Sequence, residues 1–408
     1  MSASDVAIFN FLDSADTHAT LSAVKTLGAS VSADRDPVVI GGVGLHFADT
    51  HSEAQIDVAN AGTLLRLLPG WLCGQHRGSW VLDGDASIRR RPMDRIVKPL
   101  RRMGANLDAR EGLFAPLALT GTKLVAADHH LTTASAQVKS CLLLAGLLAE
   151  GTTTVTCDAP SRDHTERMLA RMGAPFRRDS AKLAVSSTDR LGLDSIRVPG
   201  DPSSAAFFAA ASWVVPGSRV LLRDVGLNWT RTGFYRIAQR MGATVAGELE
   251  PPHTDSYEEA VGDLETAHSE LCGTCVSGSE VGLSIDELPL VALLGAFADG
   301  ETVVSDATEL RHKESDRIGA VCEELSGIGV DIEQTADGFG IRGGTGIEGG
   351  RFNARGDHRL AMLGAICGLA SKDGVEVEGM HTQTVSYPGF VDDLRRIASK
   401  TNEAGQGR

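Results

Sequence analysis

Residues 135–179 read SAQVKSCLLLAGLLAEGTTTVTCDAPSRDHTERMLARMGAPFRRD. A polar Ser-Ala-Gln start opens an Ala/Leu-rich helix, and the short strand TTTVTC follows it. After a loop comes a second, basic amphipathic helix. It stops at Gly173, the residue expected just past a helix C-terminus, and another strand-like segment follows. The unit is helix–strand–helix–strand.

The same ending recurs along the chain as LSAVKTLGASV, VKPLRRMGANL, RMLARMGAPF, RIAQRMGATV and EELSGIGVDI, closing on Gly28, Gly104, Gly173, Gly242 and Gly329. Spacings of 69 to 87 residues exceed solenoid periods, so each copy is a sizeable unit. Apolar helices precede short strands at Asn60–Gly74, Ser135–Glu150, Asp201–Val215, Asp286–Asp299 and Asp357–Ala370. Segments such as AAFFAAASWVV are apolar nearly all round and are expected to be buried. The helix VDDLRRIASK ends the last copy, and extra strands such as LVAADHHL lie between copies. Six copies are counted, three before about Gly200 and three after. This predicts an α/β protein of two similar globules, residues 1–200 and 201–408. The first copy begins at the strand SDVAIFNF with no buried helix before it, so the first globule is expected to be N-terminally incomplete.

Composition narrows the function classes. The 408 residues are 42% hydrophobic and 23% charged, a globular profile with room for two domains. A net charge of −14 disfavours nucleic-acid and anionic-membrane partners, which call for a basic face. No apolar run of about eighteen residues suggests a transmembrane helix, and the N-terminus does not read as a secretory signal. Seven scattered cysteines read as reduced thiols, which fits a cytoplasmic protein.

The buried helices start with NAGTLLR (Asn60–Arg66), SAQVKS (Ser135–Ser140), GDPSS (Gly200–Ser204), DELP (Asp286–Pro289) and GDHR (Gly356–Arg359). Helix N-termini favour anions, although Ser, Asp and Asn at these positions are also ordinary N-caps. Five such starts together, with Arg66, Gln137 and Arg359 placed early, point to a shared polyanion site. The second helices add cations in SIRRRPMDR (Ser87–Arg95), SRDHTER (Ser161–Arg167) and LRHKESDR (Leu310–Arg317). Arg89, Arg90 and Arg91 before Pro92 suit a helix's first turn and a phosphate or carboxylate ligand. Arg95, Lys98, Arg101 and Arg102 read as a solvated basic face. Lys313 and Arg317, four apart, are expected on one helix face with Glu314 beside them, either as a structural ion pair or as an acid–base group. Asp286 is a second candidate carboxylate, and two such groups among cations suit proton removal at one centre and donation at another. Cys272 and Cys275 form C-x-x-C without a second ligand pair of zinc-like spacing, and the phosphate-loop, nucleophile-elbow and dinucleotide fingerprints are absent.

NAGT with Arg66, RRRPM, SAQVKS, SRDHTE, GDPSSAAFF, DELP, RHKESDR and GDHR, in this order from Asp13 to Phe390, resemble the motifs of the 5-enolpyruvylshikimate-3-phosphate (EPSP) synthase family. SAQ and SRDHTE are similar to the branch called class II. The resemblance implies the inside-out α/β barrel type of enolpyruvyl transferases: two globules of three repeats facing one another across a cleft, with helix N-termini pointing into it. It implies transfer of the enolpyruvyl group from phosphoenolpyruvate to the 5-hydroxyl of shikimate 3-phosphate, by a monomer without metal or organic cofactor. It implies phosphoenolpyruvate ligands at Gly62, Arg91, Gln137, Arg317 and Arg359, and shikimate 3-phosphate ligands at Ser135, Ser161, Arg162 and Lys313. Asp286 is implied as the base for the 5-hydroxyl and Glu314 as the acid that protonates the methylene carbon. The family's Lys-Ser…Arg segment, which opens its first buried helix, has no counterpart here; this is the segment the repeat count finds missing. An N-terminally truncated paralogue that binds anions without turnover is therefore the alternative. Val385 precedes Ser386-Tyr387-Pro388 where many members carry a lysine. The sister transferase acting on UDP-N-acetylglucosamine would need a loop cysteine, and none lies between Cys73 and Cys141.

Overall fold

The computed structural model describes residues 1–46, 53–254 and 256–405. The chain divides into two compact units, Met1–Val198 with Asp255–Glu259, and Pro199–Thr254 with Ala260–Arg408. Each has its own hydrophobic core.

The first unit carries α1 (Ala15–Thr26), α2 (Gly62–Leu72), α3 (Asp94–Arg102), α4 (Ala136–Gly146) and α5 (His164–Arg171). Three four-stranded sheets accompany them, with one repeated topology. In the second of these, Glu53–Asp57 runs parallel to Ser79–Asp83, which pairs antiparallel with Phe114–Thr120 and through it with Asn106–Arg110. The strand Thr152–Cys157 has the same relations to Asp128–Leu131, Lys182–Ser186 and Phe176–Asp179. In the first sheet the parallel partner of Asp5–Phe9 is Ser195–Arg197, so the end of the unit completes the sheet begun at its start. Helices α2 and α4 pack on one another. They are the two buried helices of this unit among the described residues.

The second unit carries α6 (Pro202–Val214), α7 (Gly233–Arg240), α8 (Ser279–Ser284), α9 (Leu288–Phe297), α10 (Arg317–Gly327), α11 (His358–Ala370) and α12 (Phe390–Gly405). Here three helices, α6, α9 and α11, are packed together at the core. Every residue of α9 from Leu288 to Ala296 is buried, and each leucine removed from water contributes roughly 1.5–3 kcal/mol. The sheet built on Glu301–Val304 repeats the topology of the first unit, with Cys275–Val276 parallel and Phe339–Arg342 and Asp331–Gln334 antiparallel.

The five closing glycines sit where the outer helices α1, α3, α5, α7 and α10 end. Their φ values are +92° for Gly28, +90° for Gly104, +75° for Gly173, +96° for Gly242 and +98° for Gly329. Residues with a Cβ seldom adopt that conformation, and the helices stop there for that reason.

Candidate active site

The starts of the buried helices divide into two kinds. Ser135 Oγ accepts from Val138 N at 3.4 Å, Asp201 accepts from Ser204 N at 2.9 Å, and Asp357 Oδ1 accepts from Arg359 N at 2.9 Å. These three side chains cap α4, α6 and α11. Helices α2 and α9 instead have Ala61 and Glu287 at the N-cap, and neither makes a side-chain cap bond.

In the first unit a cation cradle lies at the start of α2. A Cβ on Gly62 would stand 2.9 Å from Arg91 Nη1 and 3.1 Å from Arg66 Nη1, so both guanidinium groups close over a residue without a side chain. Arg66 Nη1 donates to Gln137 Oε1 at 3.1 Å, and Gln137 Nε2 donates to Thr63 Oγ1 at 2.9 Å. Arg91 follows a 3-10 turn at Ile88–Arg90 and donates to Ser87 Oγ at 3.4 Å. Gly62, Arg91 and Gln137 are therefore brought together, with Arg66 as the link. Ser161 and Arg162 lie on the loop ahead of α5, and Ser161 Oγ is buried with no partner. Arg89 belongs to structure instead, holding Asp83 at the surface through Nε at 2.9 Å. Lys98 pairs with Asp94 and Arg101 with Asp108 on the exposed face, as expected for a solvated basic stripe. Pro92 lies two residues ahead of α3, so the arginine triplet occupies a turn before that helix and not its first turn.

In the second unit Asp286 gathers three cations from two segments. Lys313 Nζ is 3.3 Å and Arg317 Nη1 3.2 Å from its Oδ1, and Arg359 Nη2 is 3.5 Å from its Oδ2. Arg317, 1% exposed, also donates to Glu314 Oε2 at 2.6 Å and to Asp357 Oδ2 at 2.8 Å. Ser315 Oγ also donates to Asp357, at 3.0 Å. Burial alone would lower the Arg317 pKa, but Asp357, Glu314 and Asp286 outweigh it and raise the value. Burial alone would raise Asp357, yet Arg317 holds it down at about 2. His358 is pushed down to about 4 by burial and then by Arg359.

Lys313 and Arg317 do not share a helix face. Thr308–His312 is a 3-10 turn, Lys313 is extended, and α10 begins only at Arg317. They meet because both donate to Asp286. Val385 brings no charge and ends the turn Met380–Val385.

A second polar network escaped the reading of the sequence. Arg231 Nη2 donates to Asp201 Oδ1 and to Ser203 Oγ, both at 2.8 Å, and Ser203 Oγ donates in turn to the buried Glu287. Its signal was the polar turn NWTRTG, in which Asn228 Oδ1 accepts from Thr230 N at 2.8 Å and from its hydroxyl at 2.7 Å.

The fold is shared with solved transferases. An enolpyruvyl transferase from Streptomyces tendae shares the fold, with a TM-score of 0.74 at 16% identity over 97% of this chain and 89% of its own. A solved EPSP synthase from Acinetobacter baumannii aligns with a TM-score of 0.85 at 38% identity, covering 97% of this chain and 91% of that one. Among sequences, the 3-phosphoshikimate 1-carboxyvinyltransferase of Oceanobacillus iheyensis is 44% identical over 391 residues, 96% of this chain and 90% of that protein. The Bacillus subtilis protein of the same name is 42% identical over 403 residues, 98% and 93% of the two chains. The family model of EPSP synthase (3-phosphoshikimate 1-carboxyvinyltransferase) matches residues 1–394, and the chain belongs to this family.

Proposed function

We propose that this protein transfers the enolpyruvyl group of phosphoenolpyruvate to the 5-hydroxyl of shikimate 3-phosphate and releases phosphate, a step toward chorismate and the aromatic amino acids. The observation that carries the reading is Asp286, a carboxylate ringed by Lys313, Arg317 and Arg359, with Glu314 on the same guanidinium. A nucleophile to be deprotonated and a double bond to be protonated require two such carboxylates, and two polyanionic substrates require the cations.

Gly62, Arg91, Gln137, Arg317 and Arg359 are the ligands we assign to phosphoenolpyruvate, whose phosphate and carboxylate call for cations. Guanidinium forks suit both groups, and Gly62 leaves space beneath Arg91 and Arg66. Ser135, Ser161, Arg162 and Lys313 are the ligands we assign to shikimate 3-phosphate. The buried, unpartnered Ser161 hydroxyl is ready to donate to a phosphate oxygen. Glu314 delivers its proton to the methylene carbon, leaving a cationic centre at the neighbouring carbon. The 5-hydroxyl attacks that centre as Asp286 takes its proton, and a tetrahedral adduct forms. Glu314 then takes back a methyl proton and Asp286 passes its proton to the departing phosphate, which restores the double bond and both carboxyl groups. Substrate anions compete for the cations now turned on Asp286. Each cation drawn away leaves the carboxylate less compensated and better able to accept the proton.

The chain acts as a cytoplasmic monomer without a nucleic-acid partner. Among the described residues no helix is long and apolar enough to cross a membrane. Nothing in the sites favours binding without turnover. The test is phosphate release from phosphoenolpyruvate, measured with and without shikimate 3-phosphate. Release only when both are present, with one enolpyruvyl ether formed per phosphate, is the expected result. No release from either mixture would refute the reading.

A further inference from the structure

Between α4 and α5 lies a buried ion pair that the reaction above does not use. Lys139, three residues into α4's first turns, has a side chain 5% exposed, and Glu166 on α5 one 2% exposed; Nζ and Oε1 are 2.6 Å apart. The second oxygen of Glu166 is buried with no partner. Taking two charges out of water costs several kcal/mol per ion, and an apolar pair of the same volume is often as stable. Stability is therefore a weak reason for this pair. Its geometry supplies another. Lys139 Nζ also donates to the backbone carbonyl of Ser161 at 3.4 Å. That carbonyl belongs to the loop ahead of α5, the loop that carries the unpartnered Ser161 hydroxyl and Arg162. Beside it, Ser140 and Thr165 join the same two helices through a hydroxyl pair at 2.6 Å. One residue further along the loop, Asp163 is fixed by Arg167 Nε at 3.0 Å and Arg178 Nη2 at 3.2 Å.

We propose that Lys139 is a positioning residue for the anion-binding loop. Glu166 aims its ammonium group, and the ammonium holds the Ser161 carbonyl so that the Ser161 hydroxyl faces the phosphate of shikimate 3-phosphate. The inference rests on the reading of Ser161 and Arg162 as phosphoshikimate ligands, and it predicts a defect confined to one substrate. Lys139 takes no part in the chemistry, so its loss weakens binding of shikimate 3-phosphate and leaves the Michaelis constant for phosphoenolpyruvate in place.

The experiment uses the whole chain and three variants: Lys139→Met, Glu166→Gln, and the double Lys139→Met/Glu166→Gln. The double variant leaves neither charge of the pair in the core, whereas the single lysine change strands the Glu166 carboxylate without its partner. Calorimetric titration with shikimate 3-phosphate gives its Kd, and phosphate release gives KM for each substrate. Binding by the unaltered protein tests the functional reading, and its absence would remove the ground for the proposal. Given that binding, Glu166→Gln, which keeps the lysine and its bond to Ser161, should lie within about threefold of the unaltered protein. The double variant should bind shikimate 3-phosphate at least about tenfold more weakly, with KM for phosphoenolpyruvate changed less than about twofold. Three results would overturn the proposal: a double variant that binds normally, equal loss for both substrates, or a double variant that fails to fold while Glu166→Gln folds.

Discussion

Asp357→Asn separates the charge at the heart of the second unit from the shape around it. Asparagine is also a good N-cap, so the bond to the Arg359 amide survives while the ion pair with Arg317 does not. A carboxyl held at about 2 instead of 3.8 contributes about 2.5 kcal/mol of stability at neutral pH. Removing one partner of a buried pair commonly costs about 3–5 kcal/mol, because the other charge is left uncompensated. Arg317 keeps Glu314 at 2.6 Å and Asp286 at 3.2 Å, which places the expected loss at about 2–3 kcal/mol. Its sign with pH is fixed. A depressed carboxyl stabilises the fold above its unfolded value and loses that contribution as pH falls through about 2, so the variant should lose most at pH 7 and least in strong acid. Hydrogen exchange read peptide by peptide distinguishes the two units. Protection in α10 and α11 should fall roughly 30- to 150-fold at pH 7, with α2 and α4 unaffected. A change under about threefold in α11, or an equal change in both units, would refute the reasoning.

Gly62→Ala places a methyl group 2.9 Å from Arg91 Nη1 and 3.1 Å from Arg66 Nη1. The guanidinium groups must shift, and initial rates should show KM for phosphoenolpyruvate raised by about tenfold with KM for shikimate 3-phosphate nearly constant. Glu314→Gln and Asp286→Asn should each lower kcat by roughly 10²–10⁴ while substrate still binds. Combined, they should cost much less than the product of the two, as measured by single-turnover phosphate release. His358 stays neutral in the fold down to about 4, against 6.5 ordinarily, so the unfolded chain takes up a proton first as pH falls. Stability should drop by up to about 3 kcal/mol between pH 6.5 and 4, and melting curves of His358→Gln should lack that part of the slope.

The repeat was legible because it is written in local chemistry. A positive φ at the close of each outer helix demands glycine, and an all-apolar stretch such as Leu288–Phe297 has no polar face to show to water. The errors came where local spacing was asked to stand for tertiary placement. Lys313 and Arg317 are four apart, the helical interval, yet Lys313 is extended and α10 begins at Arg317. Asp286, far off in sequence, brings the two cations together, and no periodicity encodes such a partner. Arg231 escaped notice for the same reason, since its carboxylate Asp201 lies thirty residues away.

Capping and chemistry draw on the same few side chains, so a helix start alone could not say which of the two a Ser or Asp serves. The structure separates them by the company each carboxylate keeps. Asp201 points back at its own helix and takes two amides, with Arg231 as its cation. Asp357 does both, capping α11 with one oxygen while the other receives Arg317. Asp286 has left the cap position altogether and meets three cations from elsewhere in the chain. The order follows a physical gradient. A carboxylate that takes backbone amides is fixed in place by the fold, whereas one that meets cationic side chains can give them up to substrate anions and then take a proton. By that criterion Asp286 suits the role of base proposed for it, and Asp357 the role of scaffold for Arg317. Asp357→Asn should therefore be felt first in the rigidity of Arg317, and Asp286→Asn in the rate.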